Sequence, residues 1–230
     1  MKKLLISLYN QAVQINQQNI LDLVKKQPSA KVLDLGCGDG QFSLAIAKKI
    51  QIKKIHGVDF SDYHLKKAQK AGLKTTKANL NCKLPFSDCS FDIIIANQVI
   101  EHLADIDLFL TEIFRILKRG GQAIIATENG SSWINIIAAI FGWQIFSLTN
   151  ISAKEIGIGN PLALHKGEKI LHSTWTHKTI FNFRGFKEIF PLYGFEVKKI
   201  VGAGYFPLPA QVGKLDPRHA HFLAVEVVKS

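Results

Sequence analysis

The sequence predicts a doubly wound α/β fold: a seven-stranded, mostly parallel sheet with an antiparallel last strand and helices on both faces. Three observations lead there. From about residue 30 onward, short apolar runs alternate with helical periodicity, a pattern that closes through right-handed crossovers onto a parallel sheet. The first run ends directly in glycines, at Leu35-Gly36-Cys37-Gly38-Asp39-Gly40. Near the end, the Gly/Pro-rich stretch 202–217 stands where a crossover helix would be, and it allows an antiparallel hairpin partner instead.

The elements follow in order. Residues 1–29 form a helical lead-in, with Val13, Ile20, Leu21 and Val24 roughly on one face. Residues 31–35 are a buried strand, after which Phe42, Ala45 and Ile46 recur at helical spacing. Residues 54–59 are a second strand, and the helix carrying Leu65 and Ala68 stops at Gly72. Strands follow near 75–78 and at 91–96. Ile106, Phe109, Leu110, Ile113, Phe114 and Leu117 make an apolar stripe whose helix is expected to end at Gly120-Gly121. Strand five covers 122–127. A helix with Phe186, Ile189, Phe190 and Tyr193 takes Asn182 as its N-cap, and strands at 195–201 and 221–228 finish the sheet.

With 230 residues, 47% hydrophobic and 20% charged, the chain is one globular domain with ample core. Lysine and arginine number 29 against 18 acids, a net charge of +11. That balance suits an anionic partner, but the basic residues are scattered in pairs and form no tail. Cys37, Cys82 and Cys89 form no C-x-x-C pair, which points to a reducing compartment. No Cys/His grouping has metal-ligand spacing along the chain, so no metal site is expected. The start, Lys2-Lys3 then Leu4-Leu5-Ile6, lacks a cleavage signal. Residues 129–153 hold no charged side chain, but Asn135, Gly142, Gln144 and Asn150 interrupt them. A buried or interfacial element fits that stretch better than a membrane span.

The glycine loop reads acidic-x-G-x-G-x-G from Asp34. A dinucleotide fingerprint would need glycine at Gln41, and a P-loop would need G-K-[ST]. Further motifs come in a fixed order: Gly57-Val58-Asp59-Phe60-Ser61, Lys77-Ala78-Asn79-Leu80, Leu84 through Asp92, Val99-Ile100-Glu101-His102-Leu103, Leu117-Lys118-Arg119-Gly120-Gly121 and Gly194-Phe195. In this series the chain resembles the class I S-adenosylmethionine-dependent methyltransferases, with their Rossmann-like fold. Within them it is similar to the small-molecule group of ubiquinone and menaquinone biosynthesis (methyltransferase type 11). The likeness is strong over residues 30–127 and weak over 180–228.

The resemblance implies a division into a cofactor half (30–128), a cap or acceptor insertion (129–180) and a C-terminal helix with strands (181–230). It implies S-adenosyl-L-methionine as cofactor and S-adenosyl-L-homocysteine as product. Asp59 would accept both ribose hydroxyls and Phe60 would pack on adenine. Asn79 stands where the family usually has Asp, and its carbonyl can still accept from the adenine amine. The Leu80 N–H would meet an adenine ring nitrogen. Asp34 would order the N–H groups of the Gly36-Cys37-Gly38 loop, and Asn97 and Gln98 would border the methionine end. Cys37 is read as a small loop residue and not as a nucleophile. His102 and His177 are the candidates for acid/base chemistry. His165 and His172 are read as surface, and His219 and His221 as sharing one strand face.

The acceptor so implied is small and apolar or amphipathic, or lipid-like. The stretch 129–153 would cover the acceptor pocket, a homodimer contact or a membrane surface. The expected location is cytoplasmic, at most peripheral to the inner face of the membrane. Two other functions compete: an RNA or protein methyltransferase using the basic surface, which Ala96-Asn97-Gln98-Val99 does not favour because it lacks N-P-P-[YF], and a non-catalytic protein that kept the fold.

Overall fold

The computed structural model describes residues 2–168 and 176–230. Its sheet has seven strands in the order β3-β2-β1-β4-β5-β7-β6. They are β1 (Val32–Leu35), β2 (His56–Asp59), β3 (Lys74–Lys77), β4 (Phe91–Asn97), β5 (Leu117–Glu128), β6 (Phe195–Ala203) and β7 (Phe222–Lys229). β1 to β5 pair in parallel, and β7 runs antiparallel to both β5 and β6. The strand order reverses between β1 and β4, and open α/β sheets place ligands at the C-terminal ends of the strands flanking such a switch.

Among the described residues six α-helices complete the frame: α1 (Lys2–Leu23), α2 (Gln41–Ile50), α3 (Asp62–Lys70), α4 (Ile106–Ile116), α5 (Trp133–Ile140) and α6 (Phe183–Glu188). Two apolar layers sandwich the sheet. On one face Leu33, Leu35, Ile94 and Ile125 pack with Phe109, Ile113, Phe186 and Phe190. On the other, Ile93, Ile95 and Ile124 pack with Ile20, Val24, Ile46 and Leu65. Alternate residues of β4 thus serve opposite layers, and both faces of the strand are buried, as a covered parallel sheet requires.

Two local expectations change. α4 ends at Ile116, and Gly120-Gly121 lie inside β5. Leu117 already has extended angles and pairs with Phe91, and the register then shifts before Ile93 meets Gln122. The glycines therefore ride a bulge in a strand and do not stop the helix. Asn182 occupies the N-cap of α6 but makes no capping hydrogen bond, and the expected single helix breaks into α6 and a 3₁₀ turn, Phe190–Tyr193, with Pro191 inside it. The uncharged stretch contains only the eight-residue α5 and a 3₁₀ turn, Phe146–Leu148.

Buried amides tie that stretch down. Asn135 donates to the Asn129 carbonyl and the Ser147 hydroxyl and accepts from the Ser147 N–H. Asn129 donates to the carbonyls of Arg218 and Ala220. Ile140 and Phe141 remain exposed at its outer edge. Among the described residues no helix is long and apolar enough to cross a membrane.

Candidate functional site

The glycine loop leaves β1 and is tied to β2. Gly36 and Cys37 both donate their N–H to the Val58 carbonyl, at 2.8 and 2.9 Å, and Gly38 donates to Asp59 Oδ2 at 3.0 Å. Gly36 has φ +77° and no room for a side chain: an added Cβ would lie 2.4 Å from a Val99 methyl. At Gly38, φ is +54° and a Cβ would meet nothing within 4 Å. One glycine therefore packs the loop onto the start of the β4 turn, and the other opens a space at the N-terminal end of α2.

Around that space stand most of the expected residues. Asp59 ends β2, with Oδ1 accepting from the Ser61 N–H at 2.8 Å. Phe60 is 55% exposed, so its ring is a free platform and no part of the core. Asn79 lies on the exposed loop after β3, its Oδ1 accepting from the Asn81 N–H at 3.0 Å. Leu80 is half-buried against the main core. Asn97, closing β4, accepts from Asn16 of α1 at 3.0 Å. Gln98 holds a left-handed φ of +56°, and its buried Nε2 finds no partner among the described atoms. A strained non-glycine backbone and an orphaned amide at a strand end are features that bound ligands commonly justify.

One expectation on this loop is revised. Asp34 does not gather the loop N–H groups, because those go to Val58 and Asp59; its own partner is the Ser43 hydroxyl of α2, at 2.5 Å. Burial, and secondarily the negative charge of Asp59, push the Asp34 carboxyl up to about 7 against the opposing bond from Ser43. Cys37 is buried, and burial together with Asp34 and Asp59 raises its thiol to about 12. A thiol so protected is no nucleophile, in line with its reading as a loop residue.

His102 and His177 meet across the fold, their rings 4.7 Å apart. Burial, then His177, lowers His102 to about 4, so its imidazole is neutral. Beside them is Glu101, which sequence reasoning did not single out. It is wholly buried in the 3₁₀ turn Ile100–His102, accepts from the Thr127 hydroxyl at 3.1 Å, and is raised to about 8 chiefly by burial.

His177 also lines a cavity of about 230 Å³. Its apolar wall includes Leu5 and Leu8 of α1 and Phe146 of the stretch 129–153, and its polar wall includes Tyr9, Glu128, Tyr205 and His221. These come from five separate segments with no shared spacing, and of them only Phe146 lies in the uncharged stretch 129–153. His165 is exposed at its rim, and His172 lies outside the described residues. His219 and His221 do not share a strand: His219 ends a 3₁₀ turn, bonds Asp216 at 2.7 Å and stacks on Trp133, whereas His221 precedes β7 and packs on Tyr9.

Comparisons with known proteins agree with this geometry. Residues 33–125 match the family described as "Methyltransferase domain". A demethylmenaquinone methyltransferase of Lactiplantibacillus plantarum is 27% identical over 179 residues, which cover 73% of this chain and 71% of that protein. A malonyl-[acyl-carrier protein] O-methyltransferase of Erwinia billingiae is 30% identical over 144 residues, 61% of this chain and 55% of that protein. Of two other curated relatives the chain spans 40% and 32% of the length. The crystal structure of an S-adenosylmethionine-dependent methyltransferase from Mesorhizobium loti shares the fold, with a TM-score of 0.63 at 18% identity over 96% of this chain and all of that one. The residues present fit the cofactor: an open glycine loop, a carboxylate at the end of β2, an exposed aromatic ring next to it, and an orphaned amide past β4. Residues 33–125 therefore resemble a methyltransferase domain, on a fold shared with S-adenosylmethionine-dependent methyltransferases, and the residues present would hold that cofactor.

Proposed function

We propose that this protein transfers a methyl group from S-adenosylmethionine to a small, apolar or amphipathic acceptor held in the cavity under α1 and the cap. The observation that carries this reading is the cavity itself, apolar on one wall and open to His177 and Glu128 on the other. Names of similar proteins, which include a quinone-precursor and an acyl-carrier substrate, support the same acceptor class. A cavity of this size takes a small molecule or one segment of a longer apolar chain, and it favours that class over RNA or a folded protein.

When bound, the cofactor supplies a methyl group on a sulfonium that needs no further activation. The protein's work is then alignment and exclusion of water. In this reading the Gly36-Cys37-Gly38 loop, Asp59, Phe60, Asn79 and the Leu80 N–H hold the nucleoside, and Asp34, Asn97 and Gln98 border the methionine end. His102 and His177 face the acceptor, and an imidazole Nε2 serves as base where the acceptor must lose a proton. The protein works in the cytoplasm, and the exposed Ile140 and Phe141 give the cap an apolar edge for lipid or for a second copy.

Calorimetry tests the cofactor arm, with S-adenosylhomocysteine expected to bind and NAD not. Leu8→Trp tests the acceptor arm. Filling the cavity is expected to leave cofactor affinity within threefold while cutting methyl transfer to a panel of amphipathic quinols and hydroxylated acyl compounds at least tenfold. A tenfold loss of cofactor affinity in that variant, with the fold intact, overturns the placement of the acceptor.

A further inference from the structure

The turn after β4 and the residues that follow the cap bring three ligating side chains together. One carboxylate oxygen of Glu101 and one nitrogen each of His102 and His177 lie within 4.8 Å of one another. Both imidazoles are oriented from behind. His102 Nδ1 lies 3.2 Å from the Thr176 carbonyl, and His177 Nδ1 lies 2.6 Å from the Ser147 carbonyl. A carbonyl only accepts, so each Nδ1 carries the proton and each Nε2 keeps its lone pair. Backing of this kind fixes the tautomer of metal-binding histidines.

Glu101 is prepared in a similar way. It is fully buried, Oε2 is held by the Thr127 hydroxyl, and Oε1 has no partner among the described atoms. An orphaned carboxylate oxygen inside a protein is costly unless something meets it. We propose that Glu101, His102 and His177 form a binding site for a divalent transition-metal ion beside the acceptor cavity. Two imidazoles and one carboxylate are a donor set that suits zinc, iron and similar ions while leaving coordination positions open. Metal–ligand bonds of about 2.0–2.2 Å bring donor atoms to within about 3–3.5 Å of one another, so the three side chains close by roughly an ångström on loading.

The site's role rests on the methyltransferase reading; its existence does not. Because His177 also lines the cavity, the open positions face the acceptor. That narrows the acceptor to a compound with an oxygen donor, such as a hydroxyl beside a carbonyl or a second hydroxyl. A hydroxyl bound to such an ion gives up its proton more readily, to the Glu128 carboxylate on the same cavity wall, which supplies the activation otherwise asked of an imidazole base.

The test titrates the full chain, stripped with chelator, with cobalt(II) and zinc(II), following the cobalt absorption bands and binding heats. One equivalent is expected to bind at micromolar or lower concentration. His177→Ala and Glu101→Gln are each expected to weaken it at least 100-fold, and His165→Ala to leave it unchanged. S-adenosylhomocysteine affinity, measured on the same samples, shows that each variant is folded and is expected to stay within threefold. No binding to the wild-type chain, or binding that survives both substitutions, overturns the site. Metal binding without any cofactor binding upholds the site and instead refutes the methyltransferase reading.

Discussion

Asp59→Ala is expected to weaken S-adenosylhomocysteine binding by roughly 30- to 150-fold, more than any other single carboxylate change outside the glycine loop. The carboxylate has two jobs. In the structure it accepts the N–H groups of Gly38 and Ser61, which joins the glycine loop to the end of β2. In the proposed complex its remaining lone pairs take the ribose hydroxyls as charge-assisted bonds. Losing both costs about 2–3 kcal/mol, the usual range for hydrogen bonds to a charged group. Asp59→Asn separates the jobs: it keeps a carbonyl for the Gly38 N–H and loses the charge, so its affinity should fall between the two. Asp62→Ala, which removes an exposed carboxylate paired with Lys77, is the control. An affinity for Asp59→Ala within threefold of wild type would mean that the ribose is held elsewhere.

The first strands and the glycine loop were legible because their determinants are local. A buried strand shows as a short apolar run, a left-handed turn shows as glycine, and the carboxylate at the end of β2 follows its strand directly. Gly36 is a good instance, since both its φ and its contact with Val99 exclude a side chain. The errors fell where partners distant in sequence decide. Gly120-Gly121 resembles a helix stop until β5 is paired with Phe91 on one side and β7 on the other. Asp34 was assigned to the loop beside it in sequence, but the loop N–H groups were claimed by β2.

The surroundings of the cavity were legible only in part, for the same reason. Asn135, one of the amides that argue against a membrane span in 129–153, holds that stretch together with Asn129: the two side chains satisfy backbone groups from three separate segments. Glu101 and His102 are adjacent in sequence, but His177 is 75 positions on from His102, and no spacing rule joins them. α1, read as a lead-in, turns out to supply Leu5, Leu8 and Tyr9 to the cavity wall.

Asp34→Asn is expected to stabilise the protein without its cofactor at pH 8 while weakening cofactor binding. The folded-state value of about 7 stands above the ordinary 3.8, so the folded chain keeps a proton that the unfolded chain gives up. Below about pH 4 both states hold the proton and the group contributes its full stability. Between about pH 4 and 7 only the folded state holds it, and stability falls as pH rises. Above about 7 the loss is complete, and the buried carboxylate stands ionised with the Ser43 hydroxyl as its partner. At about 1.4 kcal/mol per pH unit, the wild type should lose about 3 kcal/mol relative to Asp34→Asn between pH 5 and pH 8. Comparing wild type with the variant isolates this group from Glu101 and His102, which also titrate abnormally. A carboxylate that destabilises the empty fold is explicable if it faces a cation in the complex. The ammonium of the cofactor's amino-acid end, which Asp34 borders in the proposed complex, is such a cation and would favour the ionised form. Cofactor binding should therefore release a proton near pH 6.5, visible as a binding heat that varies with buffer, and the release should vanish in Asp34→Asn. Urea unfolding at the two pH values checks the first half. An equal stability difference at pH 5 and pH 8 would show that Asp34 is already ionised in the fold.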